Sequence, residues 1–495
     1  TGLVLAISLA RQGVPFRVID KNSGPGQASR AMAVQARTLE FYRQFGFAEE
    51  MVARGIQLNS VHLREKSEEV AMLTLGNVGE GISPFPFILS FPQDDHERFL
   101  TQQLDAMGIA VEWGMELSEF DDDGSQVRCV LRRDGVEEIA SCAYLCGCDG
   151  ASSTVRRELK LEFAGGTYDN LFYVADVEIG GEPAPDFVIN LGRNTLVIML
   201  PVRSTGAKRL IGIVPAAMHG RTDLTFDDVR PLAEKLIQIH VATVNWFSKY
   251  HVHHRVAEHF RSGRAFIVGD AAHVHSPVGG QGMNTGIGDA INLAWKLADV
   301  LQGRASAAIL DTYEAERLPF AQTLIRTTDR AFRGLIDTGI VGRTMRGWVL
   351  PHLLPLLSRA TFGRRAMFRM LSQTRIHYPD SELSHGTAGR VRGGDRLPWV
   401  EAEGANNFDS LKSLRWQVHV YGETNADFHS DVEELGLRAA CFPWSASAKD
   451  AGLRRDACYL VRPDGYIAFA SPRQDGETLR TFCGERGLKF KDDVC

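Results

Sequence analysis

GRAFIVGDAAHVHSPVGGQGMNTGIGDAINLAWKLADVLQG, residues 263–303, decides how this chain is built. The apolar run 265–268 reads as a short buried strand that stops on Asp270 and passes through a Gly-rich turn directly into a periodic segment. There Ala294, Leu297, Ala298 and Leu301 recur at i, i+3, i+4 and i+7, with Gly303 as a C-terminal cap, so the spacing predicts a helix with one face on a sheet. The N-terminus of such a helix leaves backbone N–H groups without intrahelical partners, and their dipoles favour an anion or an electron-rich carbonyl. In PVGGQGMN (277–284) the glycines permit close approach to that backbone, and Asp270 at the strand end is placed to accept hydrogen bonds from a polyol or ribose.

Two more segments follow the same pattern. In TGLVLAISLARQGVPFRVID (1–20), Leu3, Ala6, Ile7 and Ala10 form a helical face, Gly13 closes it, and residues 16–19 read as a strand ending on Asp20. This matches the second half of a dinucleotide-binding βαβ unit, with Gly2 as the last glycine of G-x-G-x-x-G and Asp20 at the spacing of an acid that binds an adenosine ribose. The first strand and first two glycines of that unit are missing from the sequence, so Thr1 is read as an internal residue of a longer protein. AYLCGCDGASSTVRREL (143–159) is the third: a short strand reaching Asp149 and Gly150, with Ser152 or Ser153 available to cap a helical turn.

The order of a GxGxxG remnant, CDG, GDAAH and GGQGMNTG resembles the single-component (group A) FAD-dependent aromatic hydroxylases, in the branch of phenol hydroxylase and 3-(3-hydroxyphenyl)propionate hydroxylase. The resemblance implies that Gly2 and Asp20, with Lys21 alongside, serve the ADP part of FAD. It implies Arg30, in SRAMAVQARTLE (29–40), near the flavin and its phosphates, and Gln93, in FPQDDHERFL (91–100), on the ribityl chain. Asp149 falls in a DG motif that supports the flavin pyrophosphate and the passing nicotinamide nucleotide, and Asp270 matches the acid on a ribityl hydroxyl. Pro277, Gly280, Gly282, Met283 and Asn284 match the loop over the flavin ring. One position departs: where phenol hydroxylase carries a catalytic acid, this chain has Met32.

What the resemblance implies about activity is hydroxylation of a phenolic ring with O₂ and NAD(P)H, by way of a flavin C4a-hydroperoxide. Hydroxylation or Baeyer-Villiger oxidation of a polyketide or antibiotic, and a non-catalytic flavin-binding interaction protein, are the alternatives. No phenol-activating residue is assigned: His219, Arg193, Tyr173 and His62 lie in segments that can line a substrate chamber, but exposed loop positions are the commoner fate of such residues.

Composition agrees with this reading. The 495 residues, 44% of them hydrophobic, provide for about three domains with sizeable cores. A formal net charge of -6 spreads no basic field, which argues against nucleic acid or an anionic membrane as partner. There is no apolar stretch of about 18 residues of the kind a transmembrane helix needs, and a cytoplasmic protein is expected. Eight cysteines are few for a disulfide scaffold of this length, and Cys142, Cys146 and Cys148 lack zinc-knuckle spacing, so no metal is assigned. His251, His253 and His254 read as packed or exposed strand residues, and His273 and His275 as residues that order their own loop.

The fold class is therefore α/β: a Rossmann-like FAD-binding domain from 1–60, 91–160 and 262–303, interleaved with a mostly β substrate domain from 61–90 and 161–261. A helical segment over 304–375 follows; its basic, apolar portion 345–370 is expected to pack on the flavin domain or on a partner subunit of a homodimer rather than on a membrane. Residues 376–495 resemble the thioredoxin-like C-terminal domain of the same branch, with a hairpin turn at 462–465. Cys441 is followed by Phe442, Pro443 and Trp444, leaving no C-x-x-C pair, so thiol exchange is disfavoured and the domain reads as structural.

Overall fold

The strand Leu145–Gly147 runs parallel to Ala265–Ile267, pairing Leu145 with Ala265 and Gly147 with Ile267, so the tips carrying Asp149 and Asp270 lie side by side. Ile19–Asp20 runs parallel to Glu112–Trp113. The computed structural model describes residues 1–26, 31–65, 67–181, 187–192, 195–202, 206–276, 278–336, 361–402 and 404–490. Ala265, Phe266 and Ile267 are all fully buried, as expected of a parallel strand covered on both faces. The covering helices are Gly2–Arg11, Gln93–Ala106 and Gly282–Leu301. Val4, Ile7, Phe99, Ile287, Ala290 and Ala294 share one apolar core with Phe266 and Ile267.

The helix Gly282–Leu301 departs from the sequence expectation of one packed face, because every residue from 284 to 299 is buried. A helix enclosed all round needs partners for its polar side. Here Glu316 and Arg317 of the helix Asp311–Ile336 supply them together with Asp464 and Trp416 of the C-terminal unit.

An eight-stranded sheet has the order His273–Val274, His240–Ala257, Phe163–Gly180, Lys208–Ile213, Leu196–Pro201, Val188–Leu191, Ser60–Glu65 and Glu68–Thr74. Ser60–Glu65 and Glu68–Thr74 thus join the sheet that holds strands from 163–257, while Ile88–Ser90 pairs elsewhere, with Ala33–Val34 and Ile56–Leu58. Alternation along these strands divides the sheet into two faces. Tyr173, Ala175, Val177, Val197, Met199 and Leu210 pack against a helix, Phe226–Ile237. Phe172, Leu191, Leu196, Ile198, Ile213 and Tyr250 belong to a separate cluster. The helix is missing from the sequence reading of this part as mostly β; its signal was the Thr225/Asp228 capping box, which the structure forms.

The C-terminal unit contains a six-stranded sheet ordered Val391–Arg392, His385–Ala388, Ile467–Ser471, Cys458–Val461, Gln417–Tyr421 and Arg438–Phe442. The expected hairpin forms at residues 462–465, with Arg462 N–H donating to Tyr466 O at 2.8 Å. Residues 345–360 of the basic, apolar stretch lie outside the described residues, and Thr361–Leu371 is a helix. Among the described residues no helix is long and apolar enough to cross a membrane.

Buried ion pairs join this unit to the rest. Arg462 forms a two-pronged pair with Glu316 at 2.7 and 3.0 Å, and Lys296, on the enclosed helix, reaches the same carboxylate at 2.9 Å. All three side chains are fully buried. Burial opposes the charge on Glu316, but Arg462 and Lys296 hold its carboxyl well below the usual range. Burial also pushes the Lys296 ammonium down to about 8, against the pull of Glu316. Asp464 accepts from Trp295 Nε1 at 3.0 Å, and Arg396 bonds both oxygens of Glu40, whose Oε2 also accepts from Arg37 at 2.8 Å.

Desolvating such groups costs several kcal/mol per ion, so the pairs are weak evidence of added stability; removing one partner, however, strands a charge. Arg462→Leu is therefore expected to destabilise the protein by about 3–5 kcal/mol. Urea denaturation followed by tryptophan fluorescence checks this, and a loss below about 1 kcal/mol, the scale of an exposed pair, would contradict the burial argument.

Candidate functional site

The site begins where two helix N-termini meet two strand ends. A Cβ on Gly286 would stand 3.1 Å from Gly269 Cα and 2.5 Å from Thr1 Oγ1, and one on Gly2 would stand 3.3 Å from Cys148 Cβ. The glycines at these positions thus let the starts of Gly2–Arg11 and Gly282–Leu301 close on the tips of the parallel strands. Gly269 (φ 66°) occupies the left-handed region and turns the chain toward Asp270, whose side chain is exposed at the tip.

Behind this tip lies Asp289, fully buried on the enclosed helix. Its Oδ2 accepts from Gly269 N–H at 3.1 Å and bonds His273 Nε2 at 2.7 Å, while Oδ1 accepts from Arg317 Nε at 2.6 Å. Burial pushes this carboxyl up, but Arg317 and His273 outweigh it and hold it at about 2. Arg317 also donates to Thr285 O at 3.1 Å and to Tyr378 OH at 2.9 Å, so one charged cluster ties strand tip, helix and C-terminal unit together. The expectation that His273 orders its loop holds. Asp289 and Arg317 escaped the sequence reading: a buried acid in an apolar helix was a visible signal, whereas its partner 28 residues away was not.

The glycine loop is shaped by where its carbonyls go. Gly279 O accepts from Gln35 Nε2 at 3.0 Å, Gly280 O from Asn284 Nδ2 at 2.9 Å, and Gln281 O from Thr285 N–H and Oγ1, both at 2.9 Å. With the acceptors engaged, the N–H groups of Gly282, Met283 and Asn284, the first helical residues, point off the helix end without intrahelical partners. Gly280 (φ 62°) abuts Ala33: a Cβ there would lie 2.7 Å from that of Ala33. This arrangement can hold an electron-rich edge against its backbone donors.

The other residues singled out in the sequence take more local roles. Both carboxamide ends of Asn284 are used, Oδ1 accepting from Gln35 N–H (2.9 Å) and Thr38 Oγ1 (2.8 Å), and Nδ2 donating to Ala33 O (2.8 Å); the side chain staples the loop to residues 33–38. Met283 is half-buried against the main core. Asp20 Oδ1 accepts from both Asn22 nitrogens at 2.8 Å, beside exposed Lys21. Asp149 Oδ2 accepts from Thr154 and Val155 N–H at 2.6 and 3.1 Å, while Ser153 Oγ caps Arg156 N–H at 3.0 Å, as one of the two expected caps. Gln93 heads its helix, with its N–H on Ala31 O at 3.0 Å and Nε2 on Glu97 at 2.9 Å. Arg30 and Pro277 lie outside the described residues, as does Arg193.

The remaining candidates for phenol activation do not gather at the loop. Tyr173 is buried on the sheet face under Phe226–Ile237, and His62 shares that face of its strand and pairs with Glu69 at 2.8 Å. His219 Nε2 meets Val214 O at 2.9 Å. Met32 is buried, with its carbonyl on Phe91 N–H at 2.7 Å. His253 bonds Thr167 Oγ1 at 2.8 Å, and the ring of His254 lies 4.7 Å from that of Tyr168, so both are engaged within the strand pair.

A family model described as FAD binding domain matches residues 1–328. The chain is 34% identical, over 97% of its length and 90% of the relative's, to 6-methylpretetramide 4-monooxygenase of Streptomyces rimosus. It is 30% identical to pentachlorophenol 4-monooxygenase of Sphingobium chlorophenolicum, over 88% of this chain and 80% of that one. Among solved structures, OxyS anhydrotetracycline hydroxylase from Streptomyces rimosus superposes with a TM-score of 0.79 at 26% identity, covering 99% of this chain and 97% of the other.

The depressed Asp289 carboxyl sets a pH dependence. Its stabilising contribution is present above the ordinary carboxyl value near 4 and is lost as pH falls toward about 2. Asp289→Asn is thus expected to be markedly less stable than the parent at pH 7, with the gap narrowing as the pH drops from 4 to 3. Denaturation curves of both proteins across that range provide the check; a gap independent of pH would refute the charge argument.

Proposed function

We propose a substrate from the premise that this chain belongs to the FAD binding domain family, among the single-component aromatic hydroxylases, and is an FAD-dependent monooxygenase. In this reading it hydroxylates a phenolic ring carried on a polycyclic aromatic polyketide, with NAD(P)H as electron donor, in the cytoplasm. The observation that carries it is the near full-length similarity to 6-methylpretetramide 4-monooxygenase. The sheet supports it: Ala33, which abuts Gly280 of the glycine loop, packs in one apolar cluster with Ile189 and Leu200, and half-buried Ile198 and Tyr250 lie in the cluster adjoining through Ile189. Such a wall suits the flat face of a fused ring system.

The residues present fit FAD. Gly2, Gly269 and Gly286 let two helix N-termini close on the strand tips, and a pyrophosphate is favoured at such N-termini. Asp270, exposed at the strand tip, is the acid for a ribityl hydroxyl, with Gln93 beside the segment at Ala31. Asp20 serves the adenosine ribose through the carboxylate edge that Asn22 leaves unused, with Lys21, Arg30, Asp149 and Pro277 completing the set. Bound FAD supplies electron transfer and oxygen activation. The N–H groups of Gly282, Met283 and Asn284 stabilise negative charge at the edge held against them; each such donor contributes about 3 kcal/mol, roughly a hundredfold in rate, when it acts on developing charge. The apolar sheet face orients the ring and keeps water from it.

The relatives named as monooxygenases displace the reading of a non-catalytic flavin-binding protein. A single-ring phenol as substrate is favoured by the similarity to pentachlorophenol 4-monooxygenase. The order and pairing of the C-terminal strands support a thioredoxin-like reading of residues 376–495, as a structural cover without thiol exchange.

Incubation of the FAD-loaded protein with NAD(P)H, O₂ and a panel of tetracyclic phenols and single-ring phenols tests the proposal. Substrate-dependent NAD(P)H consumption with a product 16 mass units heavier and an intact ring is expected for the fused phenols. The reading is falsified if only single-ring phenols respond or if the added oxygen expands a ring to a lactone instead of appearing as a ring hydroxyl. Asp270→Ala is expected to weaken FAD retention at least tenfold, the scale of one charge-assisted hydrogen bond; unchanged flavin content after gel filtration would remove Asp270 from the site.

A further inference from the structure

We propose that Gln373, outside the family-matched residues 1–328, is a positioning residue for the glycine loop, aligning the N–H groups of Gly282, Met283 and Asn284 by clamping the turn from which they project. The proposal rests on the reading of that loop as the wall against the flavin's electron-rich edge.

Gln373 follows the helix Thr361–Leu371 and is buried, with its backbone at φ 61°. A non-glycine residue in the left-handed region costs on the order of 1 kcal/mol, and that conformation persists where surrounding contacts impose it. Here the contacts lie on the loop. Gln373 Nε2 donates to Gln281 Oε1 at 2.7 Å and to Thr285 Oγ1 at 3.0 Å, and lies 3.4 Å from Gln281 O. The clamp is reciprocal, because Gln281 Nε2 donates to Leu371 O at 2.9 Å and Arg37 N–H donates to Ser372 O at 3.1 Å. Residues 371–373 therefore fasten both the turn before the helix Gly282–Leu301 and the start of the helix Ala36–Phe45.

The side-chain chemistry explains the residue type. The partners at Gln281 and Thr285 are all oxygens, so the clamp needs a neutral donor of this length. Glutamate would set an acceptor against acceptors. A methionine would fill the space without holding anything. If the clamp is lost, Gln281 O keeps only Thr285, and the first helical turn gains freedom to rotate the three donors off their common point.

The test uses the FAD-loaded full-length protein, its Gln373→Met, Gln373→Glu and Gln373→Gly variants, and reductive titration against reference dyes. Misaligned donors favour the reduced flavin less. The expected result is about a tenfold loss of that preference in each variant, a fall of about 30 mV in the two-electron midpoint potential, together with a changed visible flavin spectrum. Gln373→Gly suits the left-handed backbone and keeps the test open should the other variants fail to fold. A folded variant with wild-type potential and spectrum overturns the positioning role, even if its melting temperature falls. If the parent takes up no FAD, the reading of the loop fails and the proposal fails with it; if the parent binds FAD and the variants match it, the proposal alone fails.

Discussion

A desolvated carboxylate governs the architecture around the glycine loop. Asp289 is fully buried, and an ion in that position persists only with partners that replace water. Its partners are a strand-tip amide, a histidine three residues past Asp270 and an arginine on the following long helix. Because each comes from a different piece of chain, satisfying one charge fixes the strand end, the loop and the helix in a single arrangement. The loop's carbonyls are satisfied from within the protein, while the N–H groups of Gly282, Met283 and Asn284 have no partner within their helix.

The same logic extends outward. The enclosed helix places Asn292, Lys296 and Asp299 on the side that the C-terminal unit covers, and that unit answers with Arg462 and Trp416. Trp295 and Trp416 meet edge to face at 5.4 Å across this boundary. The C-terminal unit is thus part of the flavin domain's core in energetic terms, even though the family match ends at residue 328.

Much of this was legible in the sequence where it depends on neighbours along the chain. The three acid-tipped strands, the glycine loop, the Ser153 cap and the hairpin at 462–465 are local patterns, and the structure has them. The helix Phe226–Ile237, by contrast, hid behind Pro231 and a β-rich context. What the sequence concealed was long-range pairing. The motifs that contain Asn284 and Asp149 carry no mark of their side-chain partners, which are Gln35 and Thr38 for the one and the N–H groups of Thr154 and Val155 for the other. The burial of Lys296, Arg317 and Arg462 carries no local mark, since a charged residue in a helix or hairpin is usually a solvated one.

The enclosure of Gly282–Leu301 has a consequence for biosynthesis. Chains emerge from the ribosome at about 5–20 residues per second, and the hairpin that caps this helix is about 160 residues downstream. For roughly ten to thirty seconds the nascent protein holds Trp295 and Lys296 beside unfinished surfaces. The middle of this helix is accordingly among the last parts of the core to be covered, because Trp295 and the Lys296–Glu316 pair wait for Asp464 and Arg462.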